Sequence, residues 1–227
     1  MNNHRNHNNH SHNLEYLIQK VRYEDTPEEQ RRMLETKKIL DAIVSFKESH
    51  GIRVHYPERD VEQKDPDGFD ICSEHRAAMK DASKVIMWYD PTSTGSMFDM
   101  GMGFMAGKPL EILNSEEIPN IKNDYERFLM DYALHGISDS FLSDRRSNQY
   151  KQMLSRRELI RHTEVPCKFV WKKNNWEVLF EFGMLFLAEK PIMLLNRHEV
   201  EAEAQAIDRK CYQKVLLMVD DKHQGKK

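Results

Sequence analysis

Hydrophobic and polar positions alternate along this chain in a rhythm of short apolar stretches and longer amphipathic ones. Residues 14–23 are rich in β-branched and aromatic side chains and predict a strand. A helix is predicted next, because Thr26 can act as N-cap, Pro27 fits the first helical position and acidic residues follow in the first turn. Apolar residues at helical spacing continue this helix, and Gly51 is predicted to end it, because glycine is favoured at the C-terminal end of helices.

The same pattern continues beyond this first helix. Strands alternating with helices at this spacing predict a parallel sheet covered on both faces. The predicted fold class is therefore a doubly wound, mainly parallel α/β fold of Rossmann or flavodoxin type, with a helical insertion. The predicted strands lie at 52–56, 84–89 and 110–113, and the helices between them at about 70–82 and 97–106.

The rhythm breaks after residue 114 and resumes after residue 162. The intervening segment contains two helical stretches around a joint rich in Gly, Ser and Asp, and is interpreted as an insertion that covers a site or makes a subunit contact. Residues 1–13 hold Asn and His without apolar periodicity and predict a disordered tail. The predicted organisation is a single α/β domain over 14–227, with a core at 14–114, a helical insertion at 115–162 and a second helix-strand part at 163–219.

An internal repeat links two parts of the chain. Residues 97–114 and 179–196 align without gaps at an offset of 82, and nine of the 18 positions are identical. Two interpretations compete: a duplicated unit with two related sites, or two successive helix-turn-strand elements of one sheet. The single sheet is favoured, because the second copy lacks room for a first strand and helix of its own.

Charge and composition narrow the classes of partner. The net charge is −3, from 34 basic and 37 acidic residues, which provides no electropositive field for a nucleic acid polymer. No apolar run reaches the roughly 18 to 20 residues that span a bilayer, so no membrane association is predicted. Three cysteines without C-x-x-C spacing indicate a reduced, cytoplasmic compartment. The histidines of the tail are irregularly spaced, and no metal site is predicted.

The loop after the strand at 84–89 carries the clearest chemical signal. In an open parallel sheet, ligands bind beyond the carboxyl ends of the strands, where this loop lies. Hydroxyl groups, a glycine and the free N–H groups of the next helix favour an anion or a sugar hydroxyl there. Asp99 projects towards the same pocket, as either a dipole-compensating or a reactive carboxylate. The candidate substrate-binding residues of the loop are Asp90, Ser93, Thr94, Gly95 and Ser96.

At this point the sequence resembles a known family. Residues 90–109, DPTSTGSMFDMGMGFMAGKP, look like the hallmark of the nucleoside 2-deoxyribosyltransferase superfamily, in which a Gly-containing loop leads into a helix with a carboxylate-Gly motif and ends in Gly-Lys-Pro. The match covers 14–114 and is strongest at 70–114. It implies cleavage of the N-glycosidic bond of a nucleoside or nucleoside 5′-monophosphate, by deoxyribosyl transfer or hydrolysis, with no metal or organic cofactor. Related folds complete their sites across subunits, so it also implies a homo-oligomer.

The resemblance also implies roles for single residues. Asp99 takes the nucleophile's position, and the chemistry is the attack of a carboxylate on the anomeric carbon through an oxocarbenium-like state. Glu74, or His75 in the alternative register, takes the position of the acidic group that assists the base. Tyr23 is the candidate for the tyrosine that orients the nucleophile, and the loop Ser93 to Ser96 would hold the sugar or a 5′-phosphate.

Three departures from the family pattern bear on this interpretation. The family nucleophile is usually Glu, and Asp99 is shorter by one methylene, or about 1 Å, which can cost about a hundredfold in rate. Ser93 replaces the acidic loop residue of the transferases, which favours the nucleotide N-hydrolase branch. Glu181 has the usual nucleophile identity and is a candidate second site, although the loop before it lacks the hydroxyl cluster. A non-catalytic nucleotide-binding or sensing module of the same fold is the alternative.

Overall fold

A computed structural model of the chain describes residues 13–62, 64–118, 121–137, 146–207 and 211–225. The predicted tail lies outside these residues, except for Asn13. The structure confirms the predicted fold class, a mixed α/β fold with a mainly parallel sheet flanked by helices. None of the helices in the described ranges combines the length and the apolar character needed to cross a membrane. We call residues 13–137 the first half and residues 146–225 the second half.

The first half contains a four-stranded sheet in the order β2-β1-β3-β4, in which all neighbouring strands are parallel. Parallel neighbours need crossover connections, and the intervening helices provide them. The elements are β1 (Leu14–Ile18), α1 (Pro27–Ser49), β2 (Arg53–His55), α2 (Pro57–Asp60), α3 (Phe69–Asp81), β3 (Lys84–Met87), α4 (Thr94–Met105), β4 (Leu110–Ile112) and α5 (Asp124–His135), with a 3₁₀ turn at Ser115–Glu117.

Local capping explains where the two main helices of the first half begin. The Thr26 side chain accepts a hydrogen bond from the Glu29 N–H, and Pro27 occupies the first turn, which confirms the predicted start of α1. Ser93 caps α4 in the same way, by accepting from the N–H of Ser96. Helix α4 therefore begins at Thr94, three residues before the predicted start, and the polar loop after β3 is shorter than expected.

The second half forms a separate sheet of two parallel strands, β5 and β6. The interpretation of the internal repeat as two elements of one sheet is therefore wrong. Helix α6 immediately precedes β5, as α3 precedes β3, so it supplies the helix that the second copy was expected to lack. The elements of this half are α6 (Asn148–His162), β5 (Cys167–Phe169), α7 (Trp176–Leu187), β6 (Ile192–Leu194), α8 (Arg197–Gln205) and α9 (Tyr212–Gln224).

The two halves meet where α4 crosses α7. A Cβ atom on Gly101 would lie 2.0 Å from the carbonyl oxygen of Phe180, and one on Gly183 would lie 2.0 Å from the carbonyl oxygen of Phe98. The helix backbones are therefore in direct contact, which only glycine permits at these two positions. Buried aromatic rings from both helices surround the crossing and join the two sheets through one core.

Candidate functional site

A cavity of about 410 Å³ opens beyond the carboxyl ends of β1 and β3. Its volume lies within the range of sites that hold small ligands and cofactors. The first half lines it with residues after β1, with one face of α3, with the loop before α4 and with Asp99. The second half contributes the segment after β5 and the start of α9, where Tyr212 lies. The cavity thus occupies the place where parallel sheets bind their ligands.

Asp99 lines this cavity with an aromatic group on each side. It is 8% exposed. The Tyr16 hydroxyl donates a hydrogen bond to Asp99 Oδ2 at 3.4 Å, and His75 Nδ1 lies 3.5 Å from Asp99 Oδ1. We call Tyr16, His55, His75 and Asp99 the Asp99 cluster. It holds a buried carboxylate in a fixed orientation facing a cavity.

His55 supports the cluster from strand β2. It pairs with Tyr16 in the β1–β2 register and stacks on the tyrosine ring with centroids 5.1 Å apart. Burial, and then the neighbouring His75, lower the pKa of His55, while burial and the charge of Asp99 raise the pKa of Tyr16 well above its usual value. Tyr16 therefore remains a neutral hydrogen-bond donor at neutral pH, and His55 an uncharged ring that fixes its position.

His75 has one nitrogen directed at the carboxylate and one without a partner. Its Nε2 atom is buried and makes no hydrogen bond within the described part of the chain. A buried polar atom without a partner is costly in a stable fold and marks a place where a ligand can supply the missing bond. His75 lines the cavity beside Asp99, while its Nε2 atom is itself buried.

The loop before α4 and the first turn of the helix contain groups that face the cavity and groups that hold the backbone in place. Ser93, Thr94 and Gly95 line the cavity, as predicted. Ser96 is buried behind them, and its hydroxyl donates to Ser93 Oγ at 2.7 Å. Asp90 is also buried and accepts hydrogen bonds from the N–H and the hydroxyl of Thr92. The predicted binding residues Asp90 and Ser96 thus shape the loop.

Lys20 ties the end of β1 to the same loop. Its ammonium group lies 2.6 Å from a Glu29 carboxylate oxygen and donates to Thr92 Oγ1 at 2.8 Å. It also lies 3.9 Å from Asp90 Oδ2. Most of its charge is therefore matched within the protein. The exposed side chains of Arg22 and Lys173 add positive charge at the cavity lining, which favours an anionic group on the ligand.

Two of the predicted catalytic residues lie elsewhere. Glu74 is exposed on α3, whereas its neighbour His75 faces Asp99. Tyr23 lies beyond the end of β1, with Lys20 Nζ 4.7 Å from its ring centroid, and the tyrosine that contacts Asp99 is Tyr16. Successive residues of a helix differ by about 100° in direction, so a shift of one position moves a side chain from the cavity to solvent.

Glu181 forms an ion pair with Arg156 and does not line the cavity. Arg156 donates to Glu181 Oε1 from Nε at 2.9 Å and from Nη2 at 2.5 Å. A carboxylate held in this way by one guanidinium is a poor nucleophile, because its charge is already neutralised. The candidate second site at Glu181 is therefore an ion pair, and the cavity residues do not include it.

Sequence patterns could have revealed part of this site. Ile71, Cys72 and Met79 are the buried residues of α3, and His75 lies on the same helical stripe while Glu74 does not. The role of Tyr16 depends on the packing of β1 against α4 and has no local signature. The same holds for Tyr212, which comes from the far end of the chain.

The site is built from hydrogen-bonding and ionisable groups of the protein. Within the described ranges, no group of three or more His, Cys, Asp or Glu side chains is arranged to hold a metal ion. Comparisons of the chain with models of protein families, with curated proteins and with solved structures find no match.

Proposed function

We propose that this protein cleaves the N-glycosidic bond of a nucleoside or a nucleoside 5′-monophosphate, with Asp99 as the nucleophile. One observation carries the proposal: a buried carboxylate, held by Tyr16 and facing His75, lines a cavity at the carboxyl edge of a parallel sheet. The resemblance of residues 90–109 to the nucleoside 2-deoxyribosyltransferase superfamily gives the substrate class.

The chemistry follows from the positions of these groups. A carboxylate oxygen of Asp99 forms a bond to the anomeric carbon as the bond from that carbon to the base nitrogen breaks, and the electron pair leaves with the base. Water or a second base then attacks the same carbon and releases the carboxylate. Tyr16 donates to Asp99 Oδ2 and His75 Nδ1 lies 3.5 Å from Oδ1, so these two side chains orient the carboxylate for attack.

The leaving base needs a proton, and His75 is placed to donate it. Its Nδ1 faces Asp99, and its Nε2 has no hydrogen-bond partner within the described residues. Donation of a proton from His75 to the base neutralises the departing anion, which is the usual contribution of a general acid. Ser93, Thr94 and the N–H groups at the start of α4 are placed to hold the sugar or a 5′-phosphate.

A non-catalytic nucleotide-binding or sensing module is the second candidate. It is favoured by the short side chain of Asp99, whose contacts to Tyr16 and His75 are long, at 3.4 and 3.5 Å. A carboxylate engaged with two neighbours and about 1 Å short of the usual glutamate could bind a ligand without attacking it. The two candidates share the cavity and differ only in turnover.

The deciding experiment incubates the purified protein with a panel of ribonucleosides, 2′-deoxynucleosides and their 5′-monophosphates. We expect free base to appear by liquid chromatography from at least one member of the panel. Addition of a second base distinguishes the two reactions, since a transferase forms a new nucleoside and a hydrolase forms free sugar. Calorimetric binding of a panel member without base release over hours would favour the non-catalytic module.

Replacement of His75 by asparagine is expected to slow base release about a hundredfold, because the general acid is lost. The loss should be much smaller for a 2-deoxyriboside of 4-nitrophenol, whose leaving group departs without protonation. Glu74→Gln is the matched control, since Glu74 is the preceding residue on the same helix and is exposed. An equal loss with both leaving groups would contradict the role of His75 as a proton donor.

A further inference from the structure

The second half repeats the hydrogen bonds of the first as well as its sequence. Asn114 accepts from the Tyr89 N–H at 2.7 Å and donates to the Tyr89 carbonyl at 2.9 Å. Asn196 makes the same two bonds with Trp171, at 3.0 and 2.9 Å. Both members of each pair are shifted by the same offset of 82 residues. The repeat therefore extends from β3, α4 and β4 to β5, α7 and β6.

The contacts between the halves are reciprocal. Gly101 lies against the carbonyl of Phe180, and Gly183 lies against the carbonyl of Phe98, with the same offset of 82 between corresponding partners. A two-fold axis generates reciprocal contacts: when one residue of the first half contacts a second residue of the other half, the counterparts of these two residues contact each other as well. The crossing of α4 and α7 thus has the geometry of a symmetric dimer within one chain.

Other contacts between the halves correspond as well, although Arg76 and Arg157 differ by 81 residues rather than 82. Arg76 on α3 donates to the Phe186 carbonyl at 3.4 Å, and Arg157 on α6 donates to the Phe104 carbonyl at 2.9 Å. Helix α9 packs on α3 and β6, while α5 packs on α6 and β4. Each half therefore places its last helix against a helix of the other half, and α9 reaches the cavity of the first half in this way.

The two halves differ in chemistry. Asp99 faces His75 beside a cavity, whereas the corresponding Glu181 is paired with Arg156. The described sheet of the second half has two strands, without counterparts of β1 and β2, which carry Tyr16 and His55 in the first half. The second half therefore lacks the groups that hold Asp99.

We infer that the second half serves the first as the second subunit of a two-fold dimer would, so that one chain contains one complete site and Tyr212 of α9 positions its ligand. This inference rests on the proposed function. It differs from the expectation of a homo-oligomer, because the cavity already has a wall from each half. The second half thereby has a role in binding without a reactive carboxylate of its own.

Tyr212 is a residue of the second half that lies against Gly95, at the start of α4. Its hydroxyl oxygen lies 3.3 Å from the position that a Cβ atom on Gly95 would occupy, and its ring centroid lies 4.9 Å from that of Phe98. Glycine at position 95 leaves room for the hydroxyl at the start of α4. A sugar hydroxyl or phosphate oxygen held by Ser93 and Thr94 would therefore lie within reach of Tyr212.

The test measures binding of the four common 2′-deoxynucleoside 5′-monophosphates by calorimetry. Tyr212→Phe should weaken the Kd about tenfold, as expected for the loss of one hydrogen bond, with one nucleotide bound per chain before and after. The KM should rise with little change in kcat, and the melting temperature should not fall. Tyr125→Phe is the control, because the Tyr125 hydroxyl is buried on α5 and does not line the cavity.

Light scattering of the same samples should give the mass of a single chain, 27.0 kDa, while nucleotide is bound. Unchanged binding by Tyr212→Phe, two nucleotides per chain, or binding confined to a dimer would overturn the inference. Binding that depends on Tyr212 without any base release would leave the inference standing and contradict only the proposed reaction. Absence of binding of all four nucleotides at millimolar concentration would overturn the inference, whereas the proposed function is overturned only if no member of the whole nucleoside and nucleotide panel releases its base.

Discussion

Asparagine in place of Asp99 is expected to slow base release by on the order of a thousandfold or more, because a carboxamide cannot form the glycosyl-enzyme bond. That loss corresponds to about 4 kcal/mol of transition-state stabilisation. The fold should survive, since asparagine has nearly the same shape and its carbonyl oxygen can still accept the hydrogen bond from Tyr16. Chromatographic assay of free base, with melting temperatures in parallel, measures both effects.

Glu181→Gln is the matched control for this change. Glu181 occupies the same position of the internal repeat, on α7, and its carboxylate is paired with Arg156 rather than directed into the cavity. We expect base release within about twofold of the unchanged protein, and only a small effect on stability, because Arg156 is 41% exposed and water can replace its partner. Equal losses in the two variants, or full activity of Asp99→Asn, would exclude Asp99 as the nucleophile.

A trapping experiment separates a nucleophile from a residue that only binds. If Asp99 forms a covalent intermediate, protein quenched during turnover should carry a mass increase equal to the glycosyl group, located by peptide mass spectrometry on the peptide with Asp99. The shift should be absent in Asp99→Asn and present in Glu181→Gln. Turnover without any adduct, under conditions in which hydrolysis of the intermediate is slow, would favour direct attack by water.

The parts of this fold that the sequence predicts are those with local causes. The start of α1 follows from Thr26 and Pro27, whose effects act within a single turn. The polar stretch after β3 follows from its hydroxyl groups and glycine, although Ser93 caps α4 and the helix begins three residues before the predicted start. Asp99 was placed in the site because it lies one turn further along the same helix.

The parts that could not be predicted depend on contacts between distant segments. His55 reaches Tyr16 only through the parallel register of β1 and β2, which are separated by the whole of α1. Tyr212 reaches Gly95, at the start of α4, only because α9 packs on α3 of the first half as well as on β6 of its own. The sequence shows the internal repeat. Whether its two copies share one sheet depends on how closely the backbones of α4 and α7 approach each other.

Two glycines, Gly101 and Gly183, distinguish a single sheet from two separate sheets. In one sheet, α4 and α7 would lie side by side over neighbouring strands, with room for side chains between them. The structure has their backbones in contact at Gly101 and Gly183, and each half forms its own sheet. The glycine that both copies of the internal repeat share, Gly101 in one and Gly183 in the other, therefore allows the close contact between the two halves.

Alanine at Gly101 or at Gly183 is accordingly expected to destabilise the protein by about 3 kcal/mol or more, since the added Cβ atom would lie 2.0 Å from a backbone oxygen. A loss of stability would be informative, because Gly→Ala inside a helix usually stabilises the helix by about 1 kcal/mol. For a chain of this size the melting temperature should fall by about 6 to 12 °C. Gly103→Ala is the control: its nearest contact is the side chain of Val85 at 3.0 Å, so the change should cost less than about 1 kcal/mol.

The double variant Gly101→Ala, Gly183→Ala distinguishes a shared contact from two independent sites. Both Cβ atoms would force the same two helices apart, so the second substitution should cost less than the first, and the two losses should not add. Strict additivity would mean that the glycines act separately and would contradict the reciprocal crossing. Because Asp99 lies on α4 between Phe98 and Gly101, separation of the helices should also reduce nucleotide binding in each variant that still folds.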